Sequence, residues 1–156
     1  MMGRTSAEYG LWFVANSIGY MAGTFITSRS VTRYSVDRMI WWGLQVQLAT
    51  CVVTAALGDM LFWLGPAVIF IPQILISFGN GIVIPNAVAA AVSVRPEVAG
   101  TASGITGFVP MAFGAAVAQF AGWVLAGASI ALPMTLTIVA VSLAGVGTFA
   151  LLVRRR

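Results

Sequence analysis

Residues Pro66 to Val94 read PAVIFIPQILISFGNGIVIPNAVAAAVSV, 29 residues without a charge. At roughly 1.5 Å per residue, a helix of this length exceeds the ~30 Å hydrocarbon core of a bilayer. Its middle holds Gly79-Asn80-Gly81, and Pro85-Asn86 follows four residues later. These residues predict a break or kink at Gly79, Gly81 and Pro85. Loosened backbone at membrane depth is tolerated only where neighbouring helices or a water-filled cavity satisfy it. The segment is therefore expected to face protein or an aqueous path rather than lipid.

The rest of the chain extends this reading. Of 156 residues, 60% are hydrophobic and 8% charged, against about 25% charged in soluble domains. Four more apolar runs are read at about 9–27, 39–57, 99–125 and 130–153, with the central run at 66–94. Each reaches or approaches the ~18 residues needed to span a membrane. The expected fold is an all-α membrane protein with five transmembrane helices in a single membrane domain, residues 1–156. No alternating pattern with regular turns argues for a membrane β-barrel. Arg4 ahead of an apolar run admits a signal peptide, but the run is as long as a full span and no small-residue cleavage site closes it.

Charge placement predicts topology. The chain has eight basic residues, all arginine, four acids and no histidine. If alternate connections share a side, Arg29, Arg33, Arg38, Arg95 and Arg154 to Arg156 fall together and leave Arg4 opposite. The positive-inside rule then puts the amino terminus outside and the carboxyl terminus in the cytoplasm. Tyr9, Trp12, Trp63 and Trp123 near outer ends, and Tyr34, Trp41 and Trp42 near inner ends, fit interfacial aromatic belts. The positive net charge is explained by topology, so nucleic acid is not an expected partner.

The chemistry-bearing residues are few. Asn80 and Asn86 are amides in an apolar setting and need partners. Either they bond neighbouring helices, or they line a cavity and meet a ligand or a water chain. Asn16, Gln45, Gln47 and Gln73 pose the same choice, with interhelical bonding the simpler reading. Gly19-x-x-x-Gly23 and Gly100-x-x-x-Gly104 have the spacing that lets two helix backbones approach closely. Arg33, Asp37 and Arg38 lie in a short basic loop, either as a topology signal or as a latch on helix ends. Cys51 stands alone in an apolar run and reads as a small buried side chain. No ionisable group lies inside a predicted span, so no proton carrier is assigned. Neither an acid pair nor a metal-ligand cluster is present, so no enzyme, metal or cofactor is expected.

Three stretches carry a resemblance. They are Tyr9-Gly-Leu-Trp-Phe-Val-Ala-Asn-Ser-Ile-Gly-Tyr-Met-Ala-Gly-Thr-Phe25 with the basic loop ending Val36-Asp37-Arg38, then Gly81-Ile-Val-Ile-Pro-Asn-Ala87, then Ala99-Gly-Thr-Ala-Ser-Gly104. With these residues the chain resembles the carboxyl-terminal part of a major facilitator superfamily transporter, most specifically the Bcr/CflA group of drug:proton antiporters. The resemblance implies two six-helix halves around a central site. This chain would supply helices eight to twelve, an incomplete second half. It further implies small amphipathic substrates exchanged for protons, a bacterial inner-membrane location, and an amino-terminal half as partner. The rival reading is a non-transporting membrane remnant, or a small subunit that binds a partner through its glycine-rich helix faces.

Overall fold

The computed structural model describes residues 6–57, 67–94, 96–125 and 132–154. Five helices follow one another: α1 (Ser6–Ser30), α2 (Val36–Leu57), α3 (Ala67–Ser93), α4 (Ala99–Leu125) and α5 (Leu132–Arg154). A 3₁₀ turn, Pro96–Val98, leads into α4. The expectation of five transmembrane helices is corrected. Among the described residues only three stretches are long and apolar enough to cross a membrane: Val36–Ala56, Phe70–Ser93 and Ala99–Trp123. α1 falls short because Asn16, Ser17, Thr24, Thr27, Ser28, Arg29 and Ser30 dilute its apolar character. In α5 the described apolar helix runs only from Val139 to Leu151. The first helix is thus long but less apolar than the other four.

The central segment does not break. α3 is one uninterrupted helix through Gly79-Asn80-Gly81, with Pro72 and Pro85 inside it. The glycines do not interrupt the helix; they sit where other backbones come close.

α3 is the hub. It packs against α1 on one side and α2 on the other, and α5 packs on α2. Contacts fix the directions. Trp12 near the start of α1 stacks on Phe70 near the start of α3, with ring centroids 5.0 Å apart. Gly19 then meets Ile74, and Gly23 meets Phe78 and Gly81. α1 and α3 are therefore parallel. Against α2 the order reverses, with Gly43 opposite Ile82 and Val83 and Gln47 opposite Gly79. Trp41 near the start of α2 stacks on Phe149 near the end of α5 at 6.4 Å. Cys51 further along α2 lies 3.4 Å from Ser142.

These directions gather charge at one end of the bundle. The last turn of α1 with Arg29, the connection with Arg33 and the first turn of α2 with Asp37 and Arg38 lie together, beside the carboxyl end of α5. Asp37 occupies a helix amino end, where partial positive charge favours a carboxylate. The Arg29 guanidinium rests 4.9 Å from the Phe25 ring centre. Tyr34 meets Trp42 edge-on at 4.8 Å. Arg4, Asp59, Trp63, Arg95, the Gly127–Ser129 turn, Arg155 and Arg156 lie outside the described residues.

α4 differs from the rest. It packs only lightly on α3 and α5. Phe108, Met111, Phe113 and Trp123 are all exposed. A Cβ added at Gly100, Gly104, Gly107, Gly114 or Gly122 would meet nothing within 4 Å.

Candidate functional site

The polar side chains of the bundle converge on α3, and close backbone approach is what brings them there. A Cβ at Gly19 would lie 2.6 Å from the Ile74 carbonyl oxygen. One at Gly23 would collide with the Phe78 carbonyl oxygen, and one at Gly81 with that of Tyr20. On the other side, a Cβ at Gly43 would lie 2.6 Å from the Val83 side chain and 3.0 Å from the Gly79 carbonyl oxygen. At Gly79 it would lie 2.6 Å from the Gln47 side chain. Five glycines on three helices thus remove the bulk that would hold α1 and α2 away from the middle of α3.

Within that contact the polar groups pair. Ser77 Oγ donates to Asn16 Oδ1 at 2.5 Å, joining α3 to α1. Gln47 Nε2 donates to Asn80 Oδ1 at 2.8 Å, joining α2 to α3. The buried Asn86, 2% exposed, donates from Nδ2 to the Ile82 carbonyl one turn back on its own helix, at 2.7 Å. The buried Thr27 donates its hydroxyl to the Gly81 carbonyl at 3.4 Å, and the Thr24 hydroxyl, which shares its one proton between two carbonyls, lies at the same distance from it. Thr24 also reaches the Tyr20 carbonyl at 3.1 Å. Among the described residues no buried side-chain nitrogen or oxygen lacks a partner. In a low-dielectric setting such completeness matters, because an unpaired amide costs several times what a paired one contributes.

The Gly81 carbonyl has a specific reason to need an outside donor. In an α-helix it would accept from the amide four residues on, at position 85. Pro85 has no N–H, so that bond cannot form. Hydroxyls from α1 occupy the vacated acceptor.

The residues marked from the sequence therefore sort into groups. Asn16, Asn80 and Asn86 make bonds within the bundle. Gly79, Gly81, Gly19 and Gly23 lie at helix contacts. Gly100 and Gly104 face open space on α4. Gln73 is exposed on α3, and Gln45 is half-buried on α2; neither enters the bonds above. Arg33 and Arg38 are exposed at the basic end. Four contributors carried no sequence signal strong enough to single them out. Gly43 has no glycine four residues away, and Thr24, Thr27 and Ser77 look like ordinary helix residues. Among the described residues no group of three or more His, Cys, Asp or Glu could hold a metal ion.

Comparison with known proteins supplies what the geometry lacks. Over 113 residues, 69% of this chain, the sequence is 30% identical to a bicyclomycin resistance protein homolog from Haemophilus influenzae. The matched part is 27% of that protein, so this chain spans about a quarter of its relative's length. No protein-family model matches the chain. No solved structure matches it either. The chain is a membrane protein homologous to part of a drug-resistance protein.

Proposed function

We propose that the chain is part of a Bcr/CflA-type major facilitator transporter that expels small amphipathic compounds in exchange for protons. The observation that carries this reading is the 113-residue similarity to the bicyclomycin resistance protein homolog. α3 is the helix around which the translocation path is organised. Gln73 and Gln45, whose amides stand outside the bundle's own bonds, contact substrate, Asn16 and Asn80 hold the surrounding helices in place, and Asn86 is tied to its own helix. No proton-coupling residue is assigned in this chain, because no Asp, Glu, Lys, Arg or His lies in the middle of its spans; Asp37 and Arg38 sit in the first turn of α2. The coupling acid and the opposing wall of the path come from an amino-terminal half, because a path of this kind forms between two repeats. The arginine-rich end of the bundle faces the cytoplasm of a bacterial inner membrane, which supports an outside amino terminus.

A second reading is favoured by α4. A helix so exposed, with five glycines open on its surface, suits a non-transporting subunit that docks on a partner through that helix. One experiment separates the two. The chain is expressed in a drug-sensitive bacterial host, alone and with the amino-terminal half of the Haemophilus relative. Resistance that appears only with both parts, and is lost on Gln73→Ala, supports transport. Stable expression in the membrane without resistance in either case supports the subunit.

A further inference from the structure

We infer that Thr27, seconded by Thr24, replaces the backbone donor that Pro85 lacks, and that this substitution couples α1 to α3 as one packing unit. The argument starts from covalent structure. Proline at 85 strips one hydrogen bond from α3, and the acceptor left behind is the Gly81 carbonyl. Gly81 is also where α1 comes close, since its missing side chain leaves room for the Tyr20 carbonyl and the backbone of Gly23 and Thr24. Glycine at 81 thus performs two tasks: it exposes its own carbonyl, and it admits the helix that satisfies it. Hydroxyls at Thr24 and Thr27 lie on the matching face of α1 and both reach that oxygen at 3.4 Å.

The two threonines are not equivalent. Thr24 is half-buried and has a second acceptor, the Tyr20 carbonyl at 3.1 Å on its own helix. Thr27 is buried and is bonded through its hydroxyl to Gly81. If α1 slides along α3, Thr24 falls back on Tyr20, while Thr27 loses its acceptor and Gly81 loses its donor. Thr27 is therefore the positioning residue, and Thr24 the auxiliary one. Pro85 sets the strength of the coupling, because restoring an amide at 85 would make the α1 hydroxyl redundant.

The test is a double-mutant cycle on the full chain in detergent micelles, read as the equilibrium ratio of folded to unfolded protein. Thr27→Val keeps shape and removes the hydroxyl. In the Pro85 background it should lower the folded ratio by roughly fivefold, the effect of one lost intramolecular hydrogen bond. Thr24→Val should lower it less. In a Pro85→Ala background, where the restored amide supplies Gly81, Thr27→Val should have little effect. Equal losses in both backgrounds would overturn the inference, since they would mean that Thr27 acts only by packing. If Pro85→Ala does not fold, Thr27→Ser decides: it keeps the hydroxyl and should stay close to wild type. A Ser variant as damaged as the Val variant would also overturn the inference.

Discussion

Replacing Gly23 with alanine puts the α1–α3 contact to its most direct test. In a helix interior this change alone favours folding by up to ~1 kcal/mol, because glycine is the poorer helix former. The structure opposes that gain. The new Cβ would run into the Phe78 carbonyl oxygen and sit 3.1 Å from the Gly81 Cα. Both obstacles are backbone atoms of another helix, so no side-chain rotation relieves them. The helices must separate, and the Thr24 and Thr27 bonds to Gly81 lengthen from 3.4 Å, where they are already near the limit. Overpacking of this kind costs about 1–3 kcal/mol. Loss of the shared hydrogen bonding adds about 1 kcal/mol. The net is a destabilisation of about 1–3 kcal/mol. Gly104→Ala is the internal control, for its Cβ meets nothing within 4 Å. It should be neutral or stabilising by up to ~1 kcal/mol. The assay is reversible unfolding of both variants in mixed micelles, with helicity followed by circular dichroism. Equal stabilities for Gly23→Ala and Gly104→Ala would refute the claim that close approach between α1 and α3 holds the bundle together.

Other outcomes follow from the same contacts. Gln47→Leu or Asn80→Leu alone leaves one amide unpaired and should destabilise the chain by about 1–3 kcal/mol; the double Leu variant should recover much of that loss, measured by the same unfolding assay. The Cys51 thiol, 4% exposed between α2 and α5, should resist a water-soluble maleimide in the folded chain and react on unfolding; rapid labelling of native protein would contradict the α2–α5 packing. In a Cys51→Ser background with the amino-terminal half present, cysteine at Gln73 should label from water and cysteine at Asn86 should not, given their exposed and 2%-exposed positions. The reverse pattern would remove Gln73 from the substrate path.

Much of the architecture was legible because a bilayer is a demanding solvent. Long uncharged runs ended by arginine or proline have few alternatives to helices, and the five helices lie close to where the runs were read. Span number was less legible. A run of mostly apolar residues in α1 also carried an amide, hydroxyls and an arginine. Counting apolar length alone hid how far those dilute its membrane affinity. The central residues show a similar division. Gly79, Asn80, Gly81 and Pro85 were marked as unusual from composition. Of the break or kink expected there, a break does not occur: the helix runs through these residues, and the hydrogen bond Pro85 cannot make is met from outside.

Covalent chemistry determined, before any folding, that Pro85 deprives the Gly81 carbonyl of a donor and that residues 66–94 can cross a membrane. Such facts are local, fixed by one side chain or by a count of uncharged residues. Which hydroxyl answers that carbonyl, that Gln47 rather than Gln45 meets Asn80, and that Gly43 matters while Gly104 faces open space were decided only when α1 and α2 settled against α3. Those choices depend on the relative rotation and axial offset of separate helices, set by many small contacts at once, and no spacing along one helix encodes them.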